Sequence, residues 1–135
     1  MKSFVLAFAA LIMTAGAFAQ TTAPVKVKTA PEVIKFKETT HDFGKIQKDV
    51  PVTYEFEFTN VSDKPVVIEN VSTSCGCTTP QWPQTPVAKG KTDKIKAGFN
   101  AQTVGQFTKT IYVKVAGVDR PIELRITGEV LPKQS

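Results

Sequence analysis

Residues 52 to 60 read Val-Thr-Tyr-Glu-Phe-Glu-Phe-Thr-Asn, and the alternation within them decides the fold. Tyr54, Phe56 and Phe58 fall on one face, Glu55 and Glu57 on the other. A period of two belongs to a strand whose inner face is buried and whose outer face meets water. A slip of one residue would carry every aromatic into solvent, so the pattern itself pins the register.

The same rhythm continues on both sides. Ile34 and Phe36 alternate with Lys35 and Lys37, and Ile95, Ala97 and Phe99 alternate with Lys94 and Lys96. Val66 to Val71 is a more continuous apolar run, interrupted by Glu69. Near the end, Ile111, Val113 and Val115 are answered by Ile122, Leu124 and Ile126. Turn-forming residues separate these runs at Asn60 to Pro65, Asn100 to Gly105 and Ala116 to Arg120. Beyond the N-terminal segment, no window of useful length carries apolar residues at helical spacing. Short strands joined by regular turns predict an all-β fold, an antiparallel β-sandwich of about seven strands.

The N-terminus reads differently. Lys2 precedes an apolar run from Phe4 to Met13, and Ala17-Phe18-Ala19 supplies the small-x-small pattern of a signal-peptidase site. The expectation is a cleaved signal peptide over residues 1–19, with Gln20 as the new N-terminus. The apolar run is too short to suggest a membrane anchor, so no transmembrane anchor is expected after cleavage. Residues 20–32 are rich in Thr, Ala, Pro, Val and Lys without a clear period and read as a flexible leader. The sandwich domain is expected over 33–131 and a tail over 132–135. The destination is export, to the periplasm or the extracellular medium.

Removing residues 1–19 leaves 116 of the 135 residues, which suits one domain with one core. The chain has 17 basic and 12 acidic residues, and loss of Lys2 leaves a formal charge of +4. Its lysines are scattered along strands rather than clustered, which is the pattern of a solvated face and of edge protection. Nucleic acid is therefore a poor candidate partner. A single histidine and the absence of a Cys-x-x-Cys motif also argue against common zinc modules.

Several residues carry a family signature. Thr40-His41-Asp42-Phe43-Gly44-Lys45-Ile46 precedes Val52-x-Tyr54-x-Phe56-x-Phe58-x-Asn60. Pro65-Val66-Val67-Ile68, then Ser74-Cys75-Gly76-Cys77-Thr78, and later Gly105-x-Phe107, follow in order. This arrangement resembles the exported bacterial domain-of-unknown-function family 1573 over roughly Ile34 to Val130. Ala88-Lys89-Gly90 departs from the proline-glycine turn usual there. The resemblance implies an immunoglobulin-like sandwich, similar to ASH and major-sperm-protein-like domains, and no defined chemistry.

Asp42-Phe43-Gly44 superficially matches the magnesium-holding motif of kinases, but the chain lacks every other part of that site. The structural reading has Phe43 entering the core at a turn or bulge of the first strand, with Gly44 in a conformation other residues resist and His41 and Asp42 satisfying backbone groups.

Cys75-Gly76-Cys77 holds the only two cysteines. Export permits a disulfide between them. Residues two apart on a regular strand are separated by about 6.6 Å, so a local bend would help, and Gly76 is the expected source of it. Closing three residues yields roughly 1.6 kcal/mol from loop entropy, a weak staple and an easily reduced one. Ranked with the disulfide is a packing role, two small, mostly buried side chains at the end of a strand with Gly76 allowing close packing. A metal site using Cys75, Cys77 and the distant His41 comes next, the thiolates suiting a soft ion such as copper(I). A nucleophilic cysteine comes last, because His41 is the only imidazole and no oxyanion device is evident. No other cofactor is indicated.

Thr78 to Lys91 is the longest stretch without a strand pattern, stiffened by Pro80, Pro83 and Pro86 around the only tryptophan, Trp82. Trp82 is expected to cap the core, with contact to a partner as its functional alternative. Together these features predict a non-enzymatic binding or structural module of the cell envelope whose partner is a protein or envelope component. The alternative is a periplasmic copper or thiol-redox accessory protein centred on the cysteines.

Overall fold

Residues 29–135 are described by the computed structural model; the expected signal peptide and the expected leader up to residue 28 lie outside the described residues. Eight strands form within them: β1 (Ile34–Phe36), β2 (Thr40–Gln47), β3 (Val52–Asn60), β4 (Ile68–Thr73), β5 (Thr78–Gln81), β6 (Thr92–Phe99), β7 (Gly105–Val115) and β8 (Ile122–Leu131). One sheet has the order β1-β3-β6-β5 and the other β2-β8-β7-β4. Only the β5–β6 loop and the β7–β8 hairpin join neighbours within a sheet. Every other connection crosses between sheets, which is what makes this an immunoglobulin-like sandwich.

The inward sets are those the alternation predicts. Phe56, Phe58, Ile95, Ala97, Phe99, Ile111, Val113, Val115, Leu124 and Ile126 are all buried, while Tyr54 and Ile122 are partly so. Burying each of the larger side chains contributes about 2–3 kcal/mol. Phe99 of β6 stacks on Phe107 of β7 with ring centroids 4.1 Å apart, joining the two sheets through aromatic contact.

Three features depart from the sequence expectation. β2 runs parallel to β8, so the second sheet is mixed rather than purely antiparallel. Its register shifts between Asp42 and Lys45, where Gly44 takes a φ of +68° and its N–H donates to Asp42 Oδ1 at 2.8 Å. The Asp-Phe-Gly stretch is thus a bulge, on the second strand rather than the first, and Phe43 packs partly against the core. β5 is a strand within the segment expected to lack one; it is short and lies at a sheet edge, where Pro80 can be accommodated. Finally, Ala30–Val33 forms one helical turn, where residues up to 32 were expected to carry no regular structure. Thr29 N–H donates to the Glu32 carboxylate at 3.2 Å, and Pro31 occupies the first turn, both of which favour a helix start.

At the end of the sandwich away from the cysteines, buried Asn60 holds the loops together. Its Nδ2 donates to the carbonyls of Lys64 and Val87, both at 2.8 Å. Its Oδ1 accepts from Ser62 N–H at 2.9 Å and Ser62 Oγ at 2.8 Å. Where β7 meets β8, Gly128 allows a close approach: a Cβ there would lie 2.8 Å from the Gly44 carbonyl oxygen and 2.8 Å from Phe107 Cζ.

Candidate functional site

Residues 74–77 form the corner that carries the chain from β4 in one sheet to β5 in the other. Ser74 N–H donates to the Thr110 carbonyl at 2.9 Å, and Thr110 N–H donates back to Ser74 Oγ at 3.1 Å. Thr73 Oγ1 donates to the Cys75 carbonyl at 2.7 Å, and Asn100 N–H to the Cys77 carbonyl at 3.1 Å. The serine and threonines flanking the cysteines therefore build the corner. Within it Cys75 and Cys77 are a close pair, with Cα atoms 5.4 Å apart and sulfurs at bonding distance. That separation is below the value of about 6.6 Å for a regular strand, because the chain turns here.

Gly76 does not play its expected part. Nothing lies within 4 Å of a Cβ built on it, and its φ is outside the left-handed region. The turn is set instead by the hydrogen bonds to the Cys75 carbonyl, from Thr73 Oγ1 and, at 3.4 Å, from Thr78 N–H. Both cysteines are half-buried, and Cys77 packs against the core. Thr78 Oγ1 stands 3.9 Å from Cys75 Sγ.

His41 is elsewhere. It lies on β2, while the corner leaves β4, and these are opposite edges of one sheet. Three inter-strand spacings separate them, about 14 Å. The His41 ring stacks on Tyr54 at 3.6 Å between centroids and meets Phe43 edge-on at 4.8 Å. The set Cys75, Cys77 and His41 is therefore not brought together, and no group of three metal-capable side chains occurs among the described residues. Sequence order alone gave no measure of that separation. Trp82 is partly buried against the core, with Gln84 Nε2 donating to its carbonyl at 3.1 Å.

A second feature was not singled out from the sequence. β1 pairs only with Phe58–Asn60 of β3 and ends at Phe36, after which the chain crosses to the other sheet. Glu57 carbonyl accepts from Lys37 N–H at 2.9 Å, and Val61 N–H donates to the Val33 carbonyl at 3.0 Å. Backbone groups alternate in direction along a strand. Thr53 and Glu55 thus face the same side as Glu57, where no described strand pairs with them. A recess of about 360 Å³ lies here, lined by Lys37, Glu38, Tyr54, Glu55 and Glu57. The sequence shows the unequal lengths, three residues of Ile-Lys-Phe against nine in β3, but not that these two strands pair.

On the outer face of β3, Lys94 Nζ pairs with Glu55 Oε2 at 2.9 Å. The hydrogen bond and charge of Lys94 hold the Glu55 carboxyl below its ordinary value and raise the lysine in turn. Both side chains are half-exposed, so the pair is solvent-screened.

The fold and the corner define an immunoglobulin-like β-sandwich domain. More particularly, the chain belongs to the DUF1573 family of proteins of unknown function, whose family model matches residues 34–130. No curated protein sequence matches significantly. Among solved structures, the ASH/PapD-like domain 7 of human CEP192 is similar at a TM-score of 0.65 and 10% identity, covering 84% of this chain and 97% of that one. A protein of unknown function from Porphyromonas gingivalis W83 is similar at 0.61 and 16% identity, covering 72% of this chain and 46% of that one. The secreted serine protease VesC from Vibrio cholerae gives 0.60 and 12% identity, covering 77% of this chain and 24% of that one. The chain thus spans less than half of the latter two proteins. At these identities the likeness is one of fold alone. No helix among the described residues is long and apolar enough to cross a membrane.

Proposed function

We infer that this protein is an exported, non-enzymatic module of the cell envelope that works by protein contact, with the open edge of β3 as the contact strand. The observation that carries this reading is the backbone at Thr53 and Glu55, which no strand among the described residues pairs, beside the recess at Tyr54. An open edge presents N–H and C=O groups in the pattern that an extended segment of another chain completes. Glu55 and Glu57 on one flank, with Lys37 on the other, would set the charge of the partner segment. Half-buried Trp82 packs against the core and leaves part of its surface for a second contact.

The test places a photo-crosslinking residue at Thr53 or at Thr108, both exposed, in the protein expressed in its own cells. A discrete envelope-protein adduct from Thr53 and none from Thr108 supports the reading. No adduct at Thr53, or the same adducts from both positions, overturns it. The same preparation tests export: the mature chain should begin at Gln20 and be recovered outside the cytoplasm, and a chain still beginning at Met1 in the cytoplasm would contradict it.

A further inference from the structure

We propose that the β4–β5 corner is a thiol–disulfide exchange site, with Cys75 as the sulfur that external thiols attack and protein dithiols as its substrate class. This inference is independent of the β3 edge. Three observations carry it. The cysteine sulfurs are at bonding distance within a turn whose backbone is tied to strands on both sides, through Ser74 with Thr110 and Cys77 with Asn100. The frame is thus held by bonds that do not depend on the sulfurs. The two cysteines differ: Cys77 packs against the core, whereas Cys75 Sγ faces the Thr78 hydroxyl at 3.9 Å. Gly76 is exposed, has open space where a side chain would sit and has no conformational need to be glycine, so no side chain of that residue stands over the half-exposed pair.

The chemistry balances without a cofactor. A substrate thiolate attacks Cys75 Sγ, forming a mixed disulfide as the Cys75–Cys77 bond breaks and its electron pair leaves on Cys77 Sγ, which takes a proton from water. The second thiolate of the same dithiol then attacks its own sulfur in the mixed disulfide and expels Cys75 as a thiolate. Thr78 Oγ1 is placed to donate a hydrogen bond to that thiolate, easing its departure. The substrate dithiol is oxidised to a disulfide, and the corner is reduced to two thiols. A bridge that closes so small a loop adds little entropic stabilisation, which makes the corner an oxidant towards dithiols whose own bridges close long loops. Run in reverse, an external disulfide reoxidises the corner.

The test uses the folded wild-type protein with glutathione as the probe. Oxidised and reduced glutathione are mixed over a range of ratios, thiols are trapped by alkylation, and intact mass and peptide mapping report the state of each cysteine. The expected result is reversible interconversion of bridged and dithiol forms, with the mixed-disulfide adduct at least tenfold enriched on Cys75 over Cys77. Thr78→Val, which keeps the size of the side chain, should lower several-fold the rate at which a second glutathione thiolate expels Cys75 from the mixed disulfide. Two thiols that never bridge at the most oxidising ratio would overturn the proposal. So would a bridge untouched by reduced glutathione, equal adducts on both cysteines, or rates matching those of the isolated peptide Ser72 to Pro80.

Discussion

Replacing Asn60 by aspartate preserves shape and removes only the two donated hydrogen bonds. In the native domain Asn60 is 1% exposed, and its Nδ2 reaches the carbonyls of Lys64 and Val87 at 2.8 Å each. The acceptor side, facing Ser62, survives the substitution. The Val87 carbonyl keeps the Val66 N–H at 2.9 Å and the Lys64 carbonyl keeps the Ser62 hydroxyl at 2.8 Å. The direct loss is therefore that of two net hydrogen bonds, about 1–3 kcal/mol, to which a carboxylate buried beside carbonyl oxygens adds. A domain of this size has about 5–15 kcal/mol in total. At about 4–8 °C per kcal/mol, Tm should fall by roughly 5 °C or more. The introduced carboxyl is buried against carbonyl oxygens, so its folded pKa is raised above an unfolded value of about 3.9. Protonated, it restores one donor. The deficit against wild type is therefore smallest below about pH 4, grows as pH rises through the raised folded pKa, and then levels. Urea unfolding of both proteins across about pH 4 to 8 measures it. A loss below about 1 kcal/mol at neutral pH, or a deficit that does not change with pH, would refute the role given to Asn60.

The glycines should separate by environment. Gly128→Ala forces a Cβ against the Gly44 carbonyl and the Phe107 ring and should cost at least about 1–3 kcal/mol, whereas Gly44→Ala, at φ +68°, should cost about 1 kcal/mol. Gly76→Ala, with open space and an ordinary φ, should stay within about 0.5 kcal/mol by denaturant unfolding; equal losses at all three would mean the local geometry is wrong. Lys94→Met removes the partner that lowers Glu55, so an NMR titration should show the Glu55 carboxyl moving back up towards its ordinary value. A depressed carboxyl contributes stability above its unfolded pKa and loses it as pH falls through the folded one, but here the pair is exposed, and no measurable change in Tm is expected. An unmoved Glu55 titration would remove the ion pair from the account.

Legibility in the sequence followed local periodicity. The inward residues of β3, β6, β7 and β8 were readable because each alternates without interruption. β2 was hidden because its bulge places its inward residues His41, Phe43 and Ile46 two and then three apart, which breaks the period. β5 was hidden because four residues including Pro80 resemble a loop when the edge they join is unknown. The parallel pairing of β2 with β8 depends on the four crossings between sheets that separate them in the chain, which no local pattern encodes. The same limit applied to the site. The chain order showed that Cys75 and Cys77 are neighbours, but the separation of His41 from them depends on which sheet edge each strand occupies. The open stretch of β3 likewise appears only when the length of β1 and its register are known together.

The contact reading stands on that open edge, and amide hydrogen exchange in the purified protein tests it directly. Tyr54 and Phe56 direct their backbone groups towards β6, so their amides should be strongly protected. Thr53 and Glu55 direct theirs to the unpaired side and should exchange at rates close to those of an unstructured chain. Protection at Thr53 and Glu55 equal to that at Phe56 would mean the edge is already covered, and the proposed contact strand would have to be abandoned.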